Sequence, residues 1–179
     1  MYDIITLGSA TVDMFAKSAS QLIKIFDDRG ETDLLAFRTG SKILMDDLQY
    51  EIGGGGTNTA AAFANLGLKT AYIGKIGKGY NAERILDCLK EYKITPLITQ
   101  KKGPSAISII LDNEKDRVIL THKGICNQLM PKDIPKLDTK WIYSSSLTSK
   151  SFKTLEGVFK KAKKKNIKTF TKSFILYRR

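Results

Sequence analysis

Short apolar runs alternate along the chain with segments whose apolar residues recur every three or four positions, and these patterns predict strands and helices in turn. Tyr2–Leu7 (YDIITL) is β-branched and stops at Gly8, predicting a first strand. Between residues 33 and 52 three short strands are predicted: Asp33–Phe37, Ser41–Met45 and Leu48–Ile52. Thr39-Gly40 and Asp46-Asp47 are the turns between them, and such close spacing predicts an antiparallel excursion. Asn58–Leu66 is Ala-rich and apolar on one side, stops at Gly67 in the place of a C-terminal glycine, and has Thr57 available as a cap. Thr70–Ile73 predicts a strand, Asn81–Tyr92 a helix with Ile85, Leu86 and Leu89 inward, and Ile94–Thr99 another strand. Ala106–Leu111 and Arg117–Thr121 flank the polar turn Asp112–Asp116 as a hairpin. Residues 140–145 (KWIYSS) predict a further buried strand, and Ile167–Thr171 begins yet another. The alternation is that of an α/β domain with a largely parallel sheet and right-handed crossovers.

Composition narrows the class. With 179 residues, 42% of them hydrophobic, the chain fits one soluble globular domain with a real core and excludes disorder or a collagen-like repeat. Cys88 and Cys126 cannot make a secreted disulfide framework, so a reducing, cytoplasmic setting is expected. The opening MYDIITLG has an acid at Asp3 and an apolar run too short for a signal peptide, and no later stretch has the length of a membrane span. The net charge of +12 suggests a nucleic-acid footprint until it is located. Residues 150–179 hold eleven Lys or Arg and a single acid, Glu156, which places +10 there and leaves the rest nearly neutral. Phe152, Leu155, Phe159 and Ala162 recur at helical spacing in that stretch, and Lys160, Lys161, Lys163, Lys164 and Lys165 crowd its end. An amphipathic helix with a lysine-rich last turn is predicted, its lysines complementing the helix dipole. A solvated face outweighs a phosphate-binding patch there.

Candidate chemistry concentrates at Gly53-Gly54-Gly55-Gly56-Thr57-Asn58, where a glycine run opens directly into a helix. Residues without side chains let backbone N–H groups approach a ligand, and the helix N-terminus adds unpaired donors and the positive end of a dipole. Asn58 both donates and accepts, which suits a polyol at least as well as a phosphate. A P-loop is absent, since no glycine run is followed by Gly-Lys and Ser or Thr. Gly77-x-Gly79-x-x-Ala82 matches a dinucleotide fingerprint in form, but the next strand ends at Thr99-Gln100-Lys101 without the acid that would hold a ribose. Gly77 and Gly79 are therefore read as turn residues.

The segment from Gly54 to Gly77 resembles the first signature of the ribokinase-like (PfkB) carbohydrate kinases, with Gly54, Gly55, Gly56, Asn58, Ala60, Gly67 and Gly77 at the family's spacings. The opening is similar too: a strand, then Gly8-Ser9, then Asp13. The resemblance extends through the paired strands at 106–121 and the Gly124-Ile125-Cys126-Asn127 turn, and weakens over the last dozen residues. It implies an α/β/α sandwich with a small β-sheet lid, the lid including residues 33–52. It further implies phosphoryl transfer from ATP, with Mg²⁺, to a hydroxymethyl group of a sugar or nucleoside, and allows a homodimer formed through the lid. By resemblance Asp13 accepts hydrogen bonds from substrate hydroxyls, the backbone at Gly53, Gly54 and Gly55 lines the sugar, and Asn58 bonds another hydroxyl. Asp13 is expected just beyond the C-terminal end of the first strand, where open α/β sheets bind ligands.

Two departures qualify the expectation. Gly55 stands where ribokinases proper commonly have lysine, so ribose is not assigned. The second signature, whose Asp is the family's catalytic base, is absent. No catalytic residue and no metal ligand is therefore assigned, and the ATP and Mg²⁺ sites are expected mostly in a C-terminal half that the chain lacks. The tail Thr169-Phe170-Thr171-Lys172, followed by SFILYRR, departs from the family's hydrophobic strand, and a truncated or frameshifted kinase is favoured over a short protein with a divergent tail. A non-catalytic sugar-binding remnant and a basic nucleic-acid-binding module built on residues 150–179 are the alternatives; for the latter, Phe170, Phe174 and Tyr177 only follow the lysine cluster. His122, the single histidine, excludes a histidine metal cluster, and Trp141 and Tyr143 are expected in core or pocket wall. Cys88 is read as a small apolar helix residue and Cys126 as a loop residue without a histidine neighbour.

Overall fold

The computed structural model describes residues 1–18, 21–28, 30–112 and 116–172. In chain order its regular elements are β1 (Tyr2–Leu7), β2 (Thr11–Ser18), β3 (Gln21–Asp27), β4 (Gly30–Ala36), β5 (Met45–Gly53), α1 (Gly55–Asn65), β6 (Thr70–Ile76), α2 (Tyr80–Glu91), β7 (Thr95–Gln100), β8 (Ala106–Asp112), β9 (Arg117–His122), β10 (Thr139–Ser144), α3 (Ser149–Lys164) and β11 (Lys168–Thr171). Short 3₁₀ turns at Gly124–Gln128 and Pro131–Asp133 precede β10. The chain divides into two units: residues 1–12, 52–107 and 122 onward, and residues 13–51 with 108–121.

The first unit is a parallel sheet in the order β11-β10-β1-β6-β7. Strand β6 is buried on both faces along its whole length, which is why TAYIGKI carries no polar alternation. Alternate residues divide the core into two layers. Ile5, Leu7, Ala71, Ile73 and Ile142 meet Leu155, Val158 and Ala162 of α3 on one face. Tyr72 and Ile76 meet Ala60 of α1 and Ala82, Ile85 and Leu89 of α2 on the other. Helices thus cover both faces of a parallel sheet, the layering expected from the alternating pattern.

The helix boundaries differ from the expectation at their starts. Helix α1 begins at Gly55 with Gly54 as its N-cap, so Thr57 lies inside the first turn and its hydroxyl donates to Gly53 O (2.5 Å) and Gly54 O (3.0 Å) instead of capping. Gly67 does follow the helix with φ of +81°, the left-handed conformation that favours glycine. In α3 the inward stripe is Ser151, Thr154, Leu155, Val158 and Ala162, while Phe152 is 50% exposed. The i, i+3, i+4 reading was one residue off at its N-terminal end, because small polar residues bond there: the Ser151 hydroxyl donates to Cys126 O and that of Thr154 to Leu129 O.

The second unit holds the outer parts of the sheet ordered β5-β2-β8-β9 and the antiparallel hairpin β3-β4, paired from Gln21↔Ala36 to Asp27↔Gly30. Strands β2 and β3 were not predicted. Ser41–Met45 is not a strand, since residues 41–44 are irregular, and Asp46-Asp47 lies inside β5 instead of forming a turn. The acids mislead because β5 is exposed over most of its length, so aspartates cost nothing there. The part of the hairpin loop at residues 113–115 lies outside the described residues.

Candidate functional site

Strands β1 and β10 lie side by side and end together, Leu7 opposite Ser144. From β1 the sheet continues through β6 to β7, with α1 and α2 on one face; from β10 it continues to β11, with α3 on the other. The crevice beyond the carboxyl ends of β1 and β10 is therefore a topological switch point, where open α/β sheets bind ligands. A cavity of about 290 Å³ lies there, lined by Ser9 after β1, Gly55 at the start of α1, Lys123, Cys126 and Asn127 around the first 3₁₀ turn, and residues 145–148 after β10.

The glycine run serves close packing at this crevice. A Cβ at Gly54 would stand 2.4 Å from Ser9 O, one at Gly55 2.6 Å from the Ser145 Cβ, and one at Gly56 2.6 Å from the Tyr72 ring. The Gly56 N–H donates to Ser9 O (3.0 Å) and the Asn58 N–H to Gly54 O (2.9 Å), so these two amides are held by the protein itself and are not offered to a ligand. Beneath them the fully buried Tyr72 hydroxyl donates to Gly8 O (2.8 Å), and its burial pushes the phenol pKa far up. The Thr6 hydroxyl donates to Gly56 O (3.0 Å). The floor of the cavity is thus rigidly tied to β1, β6 and α1.

Polar side chains stand among otherwise apolar walls. The Thr148 hydroxyl, at the N-cap of α3, donates to Asn127 Oδ1 (3.0 Å) and makes no cap bond to its own helix. That leaves the Asn127 amide N–H groups for the cavity. The Ser145 backbone N–H donates to Leu7 O (2.9 Å), holding the turn after β10 against β1. Cys126 is buried, with its Sγ 2.8 Å from Lys123 O, and burial pushes its thiol pKa up, so it is not a poised nucleophile. Lys123 is exposed and pairs with no carboxylate among the described residues.

Residues 22–174 match the model of the pfkB family carbohydrate kinases. The chain belongs to that family. Its fold is ribokinase-like: it is similar to a ribokinase from Giardia lamblia (TM-score 0.79, 20% identity, 99% of this chain and 56% of that one). It is likewise similar to a ribokinase from Cryptococcus neoformans solved with ADP (TM-score 0.73, 16% identity, 99% and 51%) and to an adenosine kinase from Sinorhizobium meliloti (TM-score 0.69, 22% identity, 95% and 56%). No curated protein sequence matches the chain. The chain spans just over half the length of these pfkB-type structures.

The residues expected to bind substrate fall on different elements of this pfkB chain. Gly53, Gly54 and Gly55 stand together at the start of α1, and Gly55 lines the cavity. Asn58 lies one turn into α1, exposed and outside the cavity lining. Asp13 is half-buried in β2 and belongs to the second unit. It was expected just past the first strand, but β1 ends at Leu7 and a second strand starts at Thr11. Sequence reasoning missed Asn127, Ser145, Ser146 and Thr148. The signal was available in the hydroxyl-rich run Ser144–Thr148 directly after a predicted buried strand. Trp141, expected in core or pocket wall, is 40% exposed and lines a surface cavity with Phe63, Leu68 and Phe170, while Tyr143 is buried. Among the described residues no helix is long and apolar enough to cross a membrane.

Proposed function

We propose that this chain forms the acceptor-holding part of a pfkB-type kinase, binding a sugar or nucleoside through hydroxyl and amide groups at the β1–β10 switch point. The observation that carries the reading is the cavity there, whose small volume and hydroxyl lining suit a single polyol ring. In the same reading Asp13 accepts hydrogen bonds from substrate hydroxyls, the backbone at Gly53, Gly54 and Gly55 and the Asn58 side chain add contacts, and the phosphoryl donor is ATP with Mg²⁺. Transfer of this kind depends on positioning and on stabilising charge. Among the described residues no three His, Cys, Asp or Glu side chains gather as a metal centre, and a kinase Mg²⁺ would be held by one or two carboxylates together with the nucleotide phosphates. In this reading the chain by itself binds acceptor without phosphorylating it.

Calorimetric titration of the purified chain with a panel of monosaccharides and nucleosides tests this. At least one polyol should bind, and Asn127→Leu and Asp13→Asn should each weaken it about 10- to 100-fold, the value of a hydrogen bond to a well-placed polar or charged group. Incubated with ATP and Mg²⁺, the chain should form no sugar phosphate above background. Binding that neither substitution touches would refute the assignment, and turnover that survives removal of host kinases would refute the division of labour. The lysines of α3 favour no second reading, since Lys161, Lys163 and Lys164 occupy its last turn, where cations complement the dipole.

A further inference from the structure

Asn127 lines the cavity from a five-residue 3₁₀ turn, an element too short and too poorly bonded to hold a side chain in place by itself. Its support comes from α3. Thr148, Ser151 and Thr154 follow one another at three-residue spacing at the start of that helix, and all three hydroxyls bond to residues 126–129. The Ser151 hydroxyl, fully buried, donates to Cys126 O (3.2 Å) and accepts the Leu129 N–H (3.1 Å), so it grips the backbone on both sides of Asn127. The Thr154 hydroxyl donates to Leu129 O (2.8 Å), and that of Thr148 donates to the Asn127 side chain itself, at Oδ1 (3.0 Å). Leu155, Val158 and Ala162 anchor the same helix on the parallel sheet. Packing alone does not account for this arrangement. It would favour apolar side chains at the buried positions 151 and 154, and it would leave Thr148 to cap its own helix, which it does not do. A buried polar network whose members are all bonded fixes one geometry instead.

We infer that Ser151 is a positioning residue for acceptor binding: with Thr154 it sets the backbone on which Asn127 stands, and so the placement of the Asn127 amide at the cavity. This rests on the proposed acceptor site and adds to it two residues that line no part of the cavity. The effect of Ser151 runs through Asn127, which bounds it: losing the Ser151 hydroxyl cannot weaken binding more than losing the Asn127 amide does.

The test is calorimetric titration of the full chain with D-ribose, D-fructose, D-glucose and adenosine, at a temperature where urea melts find each variant folded. For whichever of these binds the wild type, Ser151→Ala and Thr154→Val should each weaken Kd about 3- to 10-fold, the worth of one neutral hydrogen bond. Thr154→Ser keeps the hydroxyl and should recover most of that loss. Val158→Ala truncates the core face of the same helix and should lower the urea midpoint without moving Kd. In an Asn127→Leu background, Ser151→Ala should change Kd by less than about twofold, since its route to the sugar is gone. Losses that Val158→Ala shares, or that add in full to those of Asn127→Leu, would overturn the inference and leave the acceptor site standing. Without any sugar, the Asn127 side-chain amide resonances should shift in Ser151→Ala and stay in place in Val158→Ala; resonances unmoved in Ser151→Ala would overturn the positioning. Binding of none of the four would overturn the role in acceptor binding whatever the resonances do, and the wider panel of monosaccharides and nucleosides decides the acceptor reading separately.

Discussion

At the scale of single residues, the least expected feature is a buried ion pair. Lys75 Nζ in β6 lies 2.6 Å from Asp133 Oδ2, with both side chains 5% exposed, and the same oxygen accepts the Met130 N–H (2.8 Å). Burial pushes the Asp133 carboxyl up, but the Lys75 ammonium and the Met130 amide outweigh it and hold the pKa below the usual value. Asp133→Asn leaves a buried ammonium unpaired, so it should destabilise the chain by about 3–5 kcal/mol in urea melts. A carboxyl with a depressed native pKa stabilises fully above its unfolded value of about 4, and that contribution disappears as pH falls through the native value. The gap between wild type and Asp133→Asn should therefore be flat near neutrality and narrow below about pH 4; a gap that widens there would refute the pairing. The sequence offered no hint of this pair, because 58 residues separate its members. The glycines were legible as a group but not in their purpose. Gly54 and Gly67 both have positive φ, yet only at Gly54 would a Cβ meet backbone, at 2.4 Å. Gly67→Ala should cost about 1–2 kcal/mol, from conformation alone, and Gly54→Ala measurably more; equal melting shifts would show that Ser9 moves aside freely.

At the scale of elements, legibility followed burial. The inner strands β1, β6 and β10 of the parallel sheet were readable because each carries an apolar run, and β6 is the extreme case, while the edge strand β11 is exposed throughout. In the second unit β8 and β9 were legible as a hairpin because each carries an apolar run, whereas β2 and β3 were not predicted and only Leu48–Ile52 of the exposed strand β5 was, its aspartates imitating a turn. Helix α3 lies between these cases: periodicity located it, but the buried stripe includes Ser151 and Thr154, whose hydroxyls bond to the Cys126 and Leu129 carbonyls, so a purely apolar pattern chose Phe152 instead. Truncation separates the two readings. Leu155→Ala removes a side chain 4% exposed between β-sheet and helix and should cost about 2–5 kcal/mol, whereas Phe152→Ala should stay within about 0.5 kcal/mol. Comparable losses at both positions would mean that Phe152 is covered in solution.

At the scale of the whole molecule, the fold class and the family were legible because a compact signature spans Gly54 to Gly77, but the surfaces were not. Periodicity tells which side of a strand is apolar, not whether anything covers it. Two apolar surfaces stand out. On β10 and β11, Phe170 packs edge to face with Trp141, Tyr143 and Phe63 of α1, and Phe63 with Tyr143, at centroid distances of 5.0–6.4 Å, yet Trp141 and Phe170 remain 40% and 41% exposed. In the second unit, Val118, Ile119 and Leu120 are consecutive and all exposed on β9, the last strand of its sheet, so both faces of that edge strand are bare; Ile23, Ile25 and Leu34 on the hairpin are exposed as well. Exposed apolar edges of this length associate unless charge or a partner blunts them. A homodimer through the small sheet, which the resemblance to the pfkB kinases allows, would cover these side chains. Sedimentation at micromolar concentration should then give a dimer, and Ile119→Lys, which places an ammonium on the edge strand, should shift it to monomer without lowering the urea midpoint. If Trp141→Lys removes the association and Ile119→Lys leaves it intact, the contact lies on the aromatic face of the parallel sheet and the pairing through the second unit is wrong.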